Sequence, residues 1–346
     1  METKDLYFDL PDELIAQYPA DRRGNDRLLA VNRRTGKYED MRFCDFPSLL
    51  EPGCLLVLNE SKVRKARVFA STENGGKVEL LFLSPESGGA WRVTSNRLKK
   101  RKAGETLVAG KVAFKLLRIN DDGTFCLMPV SGTDSPEGIR EDFFLENGHV
   151  PLPPYIKRED EFSDENRYQT VYAKNLGSVA SPTAGLHYTK EILDNIRARG
   201  VEIAFVTLHV GMGTFLPIRS QTLEDHRMHS EDYEITPDNA ALINSAIAAK
   251  TPIIASGTTS LRCLESACDA SSGIVRSGLS STSIFITPGY EFKVANRLLT
   301  NFHTPYSTLM ALVAAFSSLD IVKSAYEHAV KEKYRFFSYG DATYWY

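Results

Sequence analysis

The sequence predicts an α/β core interrupted by a small all-β insert, on three grounds. From about residue 151 onward, apolar strands alternate with helical segments, the texture of an α/β domain. Between about residues 62 and 150 the strands are short, evenly spaced and punctuated by glycine turns, as in a small antiparallel barrel or sandwich. At 346 residues the chain is longer than one hydrophobic core usually supports. The expected boundaries are 1–61 with 151–346 for the core and 62–150 for the insert.

The elements follow in order. A short helix is expected around Asp12 to Gln17 and a strand over Leu28 to Val31. Between them, residues 19–27 form a polar loop rich in arginine. It is either a solvated connection or a place where Arg22 or Arg27 grips a carboxylate or phosphate. Leu55 to Leu58 reads as a buried strand ending in Asn59-Glu60-Ser61. The insert should hold strands at Ala66–Ala70, Lys77–Leu83, Ala90–Thr94, Lys111–Ile119 and Thr124–Val130. A helix from Pro136 to Asn147 follows, stopped by Gly148, and the proline-rich Val150 to Pro154 suits a return linker. Further on come a helix capped by Thr189, a strand over Val201 to Val210, and a helix with Thr236 as N-cap and Pro237 at its first position. Then follow a strand at Ile253–Ala255, a helix from Leu261, strands at Ile284–Thr287 and Arg297–Asn301, a helix from Ser307, and a last helix from Ile321 to Lys331.

Bulk properties narrow the function. Hydrophobic content of 42% and charged content of 25% are those of an ordinary globular protein. A net charge of −3 excludes a protein basic all over, so any nucleic-acid surface must be local. Five cysteines without a C-x-x-C pair suggest a reducing compartment, with Cys44, Cys54 and Cys126 expected as small buried hydrophobes. The amino terminus lacks an apolar signal core, and no apolar run approaches the roughly 18 residues of a membrane span. A cytoplasmic, monomeric protein without a membrane is expected.

Chemistry concentrates in Ser178 to Ile218. Along the strand there, period-two alternation places Val201, Ile203, Phe205, Thr207 and His209 on one side, with His209 at the carboxyl end, where ligands of such sheets collect. The Ala184-Gly185-Leu186-His187 loop and the Gly211-Met212-Gly213 turn are expected to point at one cavity. Ile253 to Arg262 reads strand, hydroxyl-rich turn, helix, an anion site at a helix N-terminus that lacks P-loop spacing. Thr222 and Asp225 suggest a capping box, which would put His226 and His229 on one helical face. His303 stands at another strand end. Arg64, Lys65 and Arg67 with Lys62, and Arg97 with Lys99 to Lys102, form two basic clusters suited to a phosphate backbone. No strand–G-x-G-x-x-G–helix or G-x-S-x-G motif occurs.

These segments, taken in order, resemble the S-adenosylmethionine:tRNA ribosyltransferase-isomerase family of queuosine biosynthesis over nearly the whole chain. The likeness rests on residues 8–17, 151–156 and 167–172, and on Ser181-Pro182-Thr183-Ala184-Gly185-Leu186-His187. It continues through residues 207–215, Glu224-Asp225-His226, residues 228–231, Gly257-Thr258-Thr259-Ser260, Thr300-Asn301-Phe302-His303 and residues 334–342. Departures are Arg64-Lys65 in place of an apolar-proline pair, Asn25-Asp26 in the arginine loop, Ser181 for alanine and Thr304 for leucine. The resemblance implies a barrel-like mixed sheet with helices and an inserted small antiparallel β-barrel. It also implies transfer and isomerisation of the ribosyl group of S-adenosylmethionine onto 7-aminomethyl-7-deazaguanine at the tRNA wobble position. Epoxyqueuosine forms, adenine and methionine leave, and no metal or tightly bound cofactor is called for.

On that reading a base removes the proton beside the sulfonium and an acid protonates departing adenine. His187 or His209 is expected as base, His303 as acid or orienter, and Asp225 or Glu231 facing a cation. Substrate contacts are expected from Thr183, Gly185, Gly211, Gly213, Thr214, Glu224, His226, His229, Glu231, Asn301 and the Gly257, Thr258, Thr259, Ser260 turn. Arg67, Arg97, Lys99, Lys100, Arg101 and Lys102 are expected to hold tRNA. Two rivals remain at this point: a non-catalytic tRNA-binding paralogue on the same scaffold, and a metal-dependent hydrolase using His209, His226 and His229.

Overall fold

The structure, a computed structural model, describes residues 1–95, 98, 101–132, 138–211 and 217–346. Its first strands are β1 (Arg27–Val31), β2 (Tyr38–Arg42), β3 (Leu55–Asn59) and β4 (Ser61–Val63). The next six are β5 (Arg67–Thr72), β6 (Lys77–Pro85), β7 (Trp91–Thr94), β8 (Thr106–Ala109), β9 (Val112–Ile119) and β10 (Phe125–Ser131). They pair in the order β5-β6-β7-β10-β9-β8, and a β5–β8 ladder (Ser71 to Val108) closes a six-stranded antiparallel barrel. Its alternate residues, among them Val68, Leu80, Phe82, Val93, Phe114 and Leu127, fill a core of their own. Helix α1 (Glu141–Asn147) adds Phe143 and Phe144 to it, and β11 (Gly148–His149) pairs with β5.

The rest of the chain builds a second, nine-stranded mixed sheet. After α2 (Asp164–Arg167) and β12 (Asn175–Ser178), a two-stranded partner of β4, come α3 (Lys190–Ala198), β13 (Glu202–Leu208), β14 (Glu231–Ile235) and α4 (Pro237–Ala249). Then follow β15 (Ile253–Ser256), α5 (Thr258–Ala267), β16 (Gly278–Thr282), β17 (Arg297–Asn301), α6 (Thr308–Phe316), α7 (Leu319–Lys331) and β18 (Ala342–Trp345). The strand order is β16-β14-β13-β3-β15-β17-β18-β1-β2. Its middle, β13-β3-β15-β17, is parallel, so both faces must be covered. Alternation along β3 does this: Leu55 and Val57 join the core that holds α5 to α7, while Leu56 and Leu58 join the one under α3.

Most expected elements stand within a residue or two, and Thr189, Thr236 and Ser307 each cap a helix through the side-chain oxygen. Several expectations are corrected. Asp12–Leu14 is a single 3-10 turn. The insert helix starts at Glu141, and Gly148 ends it in extended, not left-handed, backbone. Residues 284–287 form no strand; the edge is β16, five residues earlier and mostly exposed, where no apolar run announces it. Strand β8 was not anticipated because it follows the polar 97–105 run. Residues 222–230 form a loop rather than a helix before β14, with Thr222 Oγ1 donating to Asp225 across 2.7 Å. Cys44 is exposed, while the other four cysteines are buried. No single helix among the described residues is long and apolar enough to cross a membrane.

Candidate active site

Parallel strands bring their carboxyl ends together, and β3, β15 and β17 end in Asn59, Ser256 and Asn301. Asn59 is buried and fully engaged. Its amide donates to Leu208 O and Thr259 Oγ1, and its oxygen accepts from Leu208 N and Ser61 N, all between 3.0 and 3.1 Å. It thus ties β13 and α5 to the centre of the sheet. Gly257 links β15 to α5 with φ +91°, a left-handed value that a side chain would resist. With no side-chain cap there, the first amides of α5 face the adjoining space.

That space is a pair of small cavities, each about 30 Å³, which share Thr183, His303 and Leu309. One is walled by Gly257, Thr258 and Thr259 with Ser181, whose hydroxyl is buried without a hydrogen-bond partner. The other is walled by Asn301, Ser338 and the stacked rings of Tyr155 and Phe337, 4.4 Å apart. Phe337 is held at φ +72°, strained for a bulky residue, by hydrogen bonds from Asn301 Nδ2 and Gly340 N to its carbonyl.

His187 lies one layer behind. It sits on the 3-10 turn Thr183–His187 and is buried against Phe43. Asn301 Nδ2 approaches its Nε2 at 3.1 Å, so Nε2 accepts and Nδ1 carries the proton, which goes to Asp26 Oδ2 at 2.9 Å. Asp26 also receives Arg335 Nη2 at 3.1 Å. Burial pushes the Asp26 carboxyl up, but His187 and Arg335 outweigh it and hold Asp26 below the usual carboxylate range. Thr183 Oγ1 donates to Asn301 Oδ1 at 3.1 Å, which completes the chain Asp26–His187–Asn301–Thr183. His303 is different. Its Nε2 meets Thr300 Oγ1 at 2.9 Å, no carboxylate pairs with it, and burial pushes its pKa down to about 3. It is a neutral imidazole at physiological pH.

This arrangement has relatives. The family model described as queuosine biosynthesis protein matches residues 3–345. The chain belongs to that family. It is 45% identical to the S-adenosylmethionine:tRNA ribosyltransferase-isomerase of Treponema denticola, over 99% of each chain. It is 47% identical to that of Legionella pneumophila strain Paris, again over 99% of each. With the Dechloromonas aromatica protein of the same name it shares 47% identity over 98% of this chain and 95% of the relative. A solved structure, the S-adenosylmethionine tRNA ribosyltransferase of Thermotoga maritima, superposes with TM-score 0.56 at 32% identity, covering 99% of this chain and all of that one.

Within this chain the remaining expected residues divide. Gly185 is buried because Tyr172 and Thr170 press on it; it walls neither cavity. Ser260 is turned back to Ser256 O. Three histidines do not converge. Val210 borders the cavity, so alternation turns His209 to the other face, against Gly177, with Nδ1 buried and without a partner among the described residues. Burial lowers its pKa.

Glu231 lies deep in an ion pair with Arg262 and accepts from Gly211 N at 2.8 Å. Glu224 binds the amino terminus of Met1 at 2.8 Å. His226 packs edge-on to Phe285, and Asp225 and His229 are exposed. None of Glu224, Asp225, His226 or His229 walls these cavities. Among the described residues no group of three or more His, Cys, Asp or Glu could hold a metal ion, so His209, His226 and His229 form no such set.

Gly213, Thr214, Arg97, Lys99 and Lys100 lie outside the described residues. Arg101 pairs with Glu105, and Lys102 donates its backbone N–H to the same carboxylate. Arg67 pairs with Glu79. Sequence reasoning missed Asp26, Tyr155, Phe337 and Ser338 as wall or relay residues. Spacing offers no signal for them, since their partners lie far away in the chain.

Proposed function

We propose that this chain moves the ribosyl group of S-adenosylmethionine onto 7-aminomethyl-7-deazaguanine at the tRNA wobble position, with rearrangement to epoxyqueuosine and release of adenine and methionine, as a monomer without a tightly bound cofactor. The single observation that carries the mechanism is the chain Asp26–His187–Asn301–Thr183 beside the α5 N-terminus. Asp26 keeps the proton on Nδ1, so the Nε2 lone pair is the basic one. It takes the proton beside the sulfonium once substrate displaces the Asn301 amide. His303, neutral and hydrogen-bonded to Thr300, orients rather than donates as an imidazolium. The start of α5, with Ser181 and Thr183, suits the methionine carboxylate, and the Tyr155–Phe337 wall suits the face of adenine. Ligand pockets usually span about 300–1,000 Å³, so these cavities must widen as substrate enters.

The test incubates the protein with S-adenosylmethionine and tRNA bearing the precursor base, followed by mass spectrometry of the nucleosides. Epoxyqueuosine with equal amounts of adenine and methionine is expected, without added metal. Adenine release with no epoxyqueuosine overturns the reading. In the same assay Asp26→Asn, which leaves His187 without its carboxylate, should lower kcat by about 10²-fold or more while S-adenosylmethionine affinity changes little.

A further inference from the structure

Beyond His187, on the side away from His303, the surface opens into a basin of about 440 Å³. Its cations are Arg22, Arg27, Arg42, Lys333 and Arg335, and its carboxylates are Asp21, Asp26 and Asp341. The two groups are not equally available. Asp26 and Asp341 are buried, and their oxygens are taken up by His187, Arg335 and backbone N–H groups of Arg27 and Arg335. Only Asp21 is exposed. Three of the guanidinium groups are held in place by backbone carbonyls: Arg27 by Glu332 O at 2.7 Å, Arg42 by Asn25 O at 3.0 Å, Arg335 by Tyr18 O at 3.2 Å. Carbonyls position a cation without cancelling its charge; Arg27 also pairs with Asp40 at 3.5 Å and Arg335 with Asp26 at 3.1 Å, so of the three it is Arg42 whose charge has no carboxylate partner among the described residues. The side chains of Arg22 and Lys333 are exposed and have no hydrogen-bond or ion-pair partner among the described residues.

Lys333 carries a second sign. Helix α7 ends in a complete Schellman motif: Tyr334 N–H reaches Ala329 O at 2.8 Å and Lys333 N–H reaches Val330 O at 3.1 Å. Lys333 therefore occupies the left-handed position, φ +56°, where glycine is the stable choice. Lys333 thus presents its charge at the rim of the basin from a position that glycine would fill without strain.

The basin also leads inward. It shares Pro19 and Asp26 with a small cavity bordered by His187 and Ser338, and Ser338 also borders the cavity of Asn301 and His303. His187 thus borders the passage that leads inward from the basin.

We propose that this basin seats the phosphodiester backbone of the RNA substrate next to the base delivered to His187, a role that rests on the tRNA reading above. Rigid guanidinium forks and a free lysine suit consecutive phosphates, and neutralising them releases counterions, so binding here must weaken with salt.

The test exploits a matched control. Lys250 holds the same left-handed position after α4, φ +55°, with Thr251 N–H on Ala246 O and Lys250 N–H on Ile247 O. It precedes β15, at the end of the parallel strands opposite Asn301. Lys333→Gly and Lys250→Gly each relieve the same strain and remove one positive charge, and both should keep or raise the thermal midpoint.

In filter binding with precursor-bearing tRNA, Lys333→Gly should weaken affinity about threefold or more. It should also reduce the slope of log K against log salt by about one. The double variant Arg22→Ala/Lys333→Gly should lose about tenfold, and Lys250→Gly nothing, with S-adenosylmethionine affinity unchanged throughout. If both Lys333 variants bind tRNA as tightly as the wild type with the same slope, or if Lys250→Gly loses as much, the basin is not the seat, even while the wild type makes epoxyqueuosine. A wild-type protein that holds no tRNA overturns this proposal and the functional reading together.

Discussion

His303 shows how burial sets chemistry at a single residue. An imidazole with one hydroxyl partner and no carboxylate loses its charged form to desolvation, and its pKa falls to about 3. In the unfolded chain it titrates near 6.5. Between those values the unfolded state binds a proton that the folded state refuses, so stability falls as pH falls from about 6.5 toward 3. The slope is at most about 1.4 kcal/mol per pH unit. Urea unfolding at pH 7 and pH 5 should show the wild type losing up to about 2 kcal/mol more than His303→Gln, which does not titrate there. Equal losses would mean that another group governs that window. His187 contrasts with it: Asp26 anchors its proton, and Arg335 keeps Asp26 ionised.

At the level of elements, the site is made by ends rather than by middles. Strands β3, β15 and β17 were legible as apolar runs bounded by polar residues. So was the rule that their carboxyl ends gather ligands, and Asn301, His303 and Gly257–Thr259 line the two adjoining cavities there. Helix starts were legible through Thr189, Thr236 and Ser307, because a cap is a contact three residues long. The 3-10 turn that carries His187 is held differently. A Cβ on Gly185 would stand 2.3 Å from the Tyr172 hydroxyl and 2.7 Å from a Thr170 carbon. Gly185→Ala should therefore displace the turn and cost about 1–3 kcal/mol, read as a lower urea midpoint. An unchanged midpoint would show that Tyr172 moves freely.

The whole molecule has two cores and a polar seam. The barrel's interior is its own cluster, to which the rest of the chain contributes little beyond Val179. Across the seam run Lys65 to Glu165 at 2.5 Å, Arg67 to Asp160 at 3.7 Å, and the Val63 N–H to Gln169 at 3.0 Å, around a cavity of about 290 Å³. Exposed or half-exposed ion pairs couple weakly. Calorimetry should accordingly give a calorimetric enthalpy larger than the van't Hoff value, or two resolved transitions. A single two-state transition would show that the seam couples the cores. The expected basic grip at 62–67 is largely spent on this seam and on local pairs, Arg64 with Glu141 and Arg67 with Glu79, whereas Arg22, Arg42 and Lys333 around the basin have no carboxylate partner among the described residues.

Sequence by itself determined what depends on neighbours along the chain: strand and helix identity, two helix caps, the texture of an antiparallel insert, and motifs dense enough to carry a family resemblance. Tertiary structure alone decided what depends on pairing. Asp26 meets His187 across 161 positions because β1 lies parallel to β18 beside the end of β17. His209, expected as an alternative base to His187, turns away because Val210 takes the inward place, and a one-residue alternation admits only one of them. Residues 222–230 have the letters of a helix start, yet they run as a loop into β14, whose pairing with β13 and β16 overrides a capping signal of about 1 kcal/mol. Local signals are written in spacing, whereas a site is written in register, which exists only once the sheet has formed.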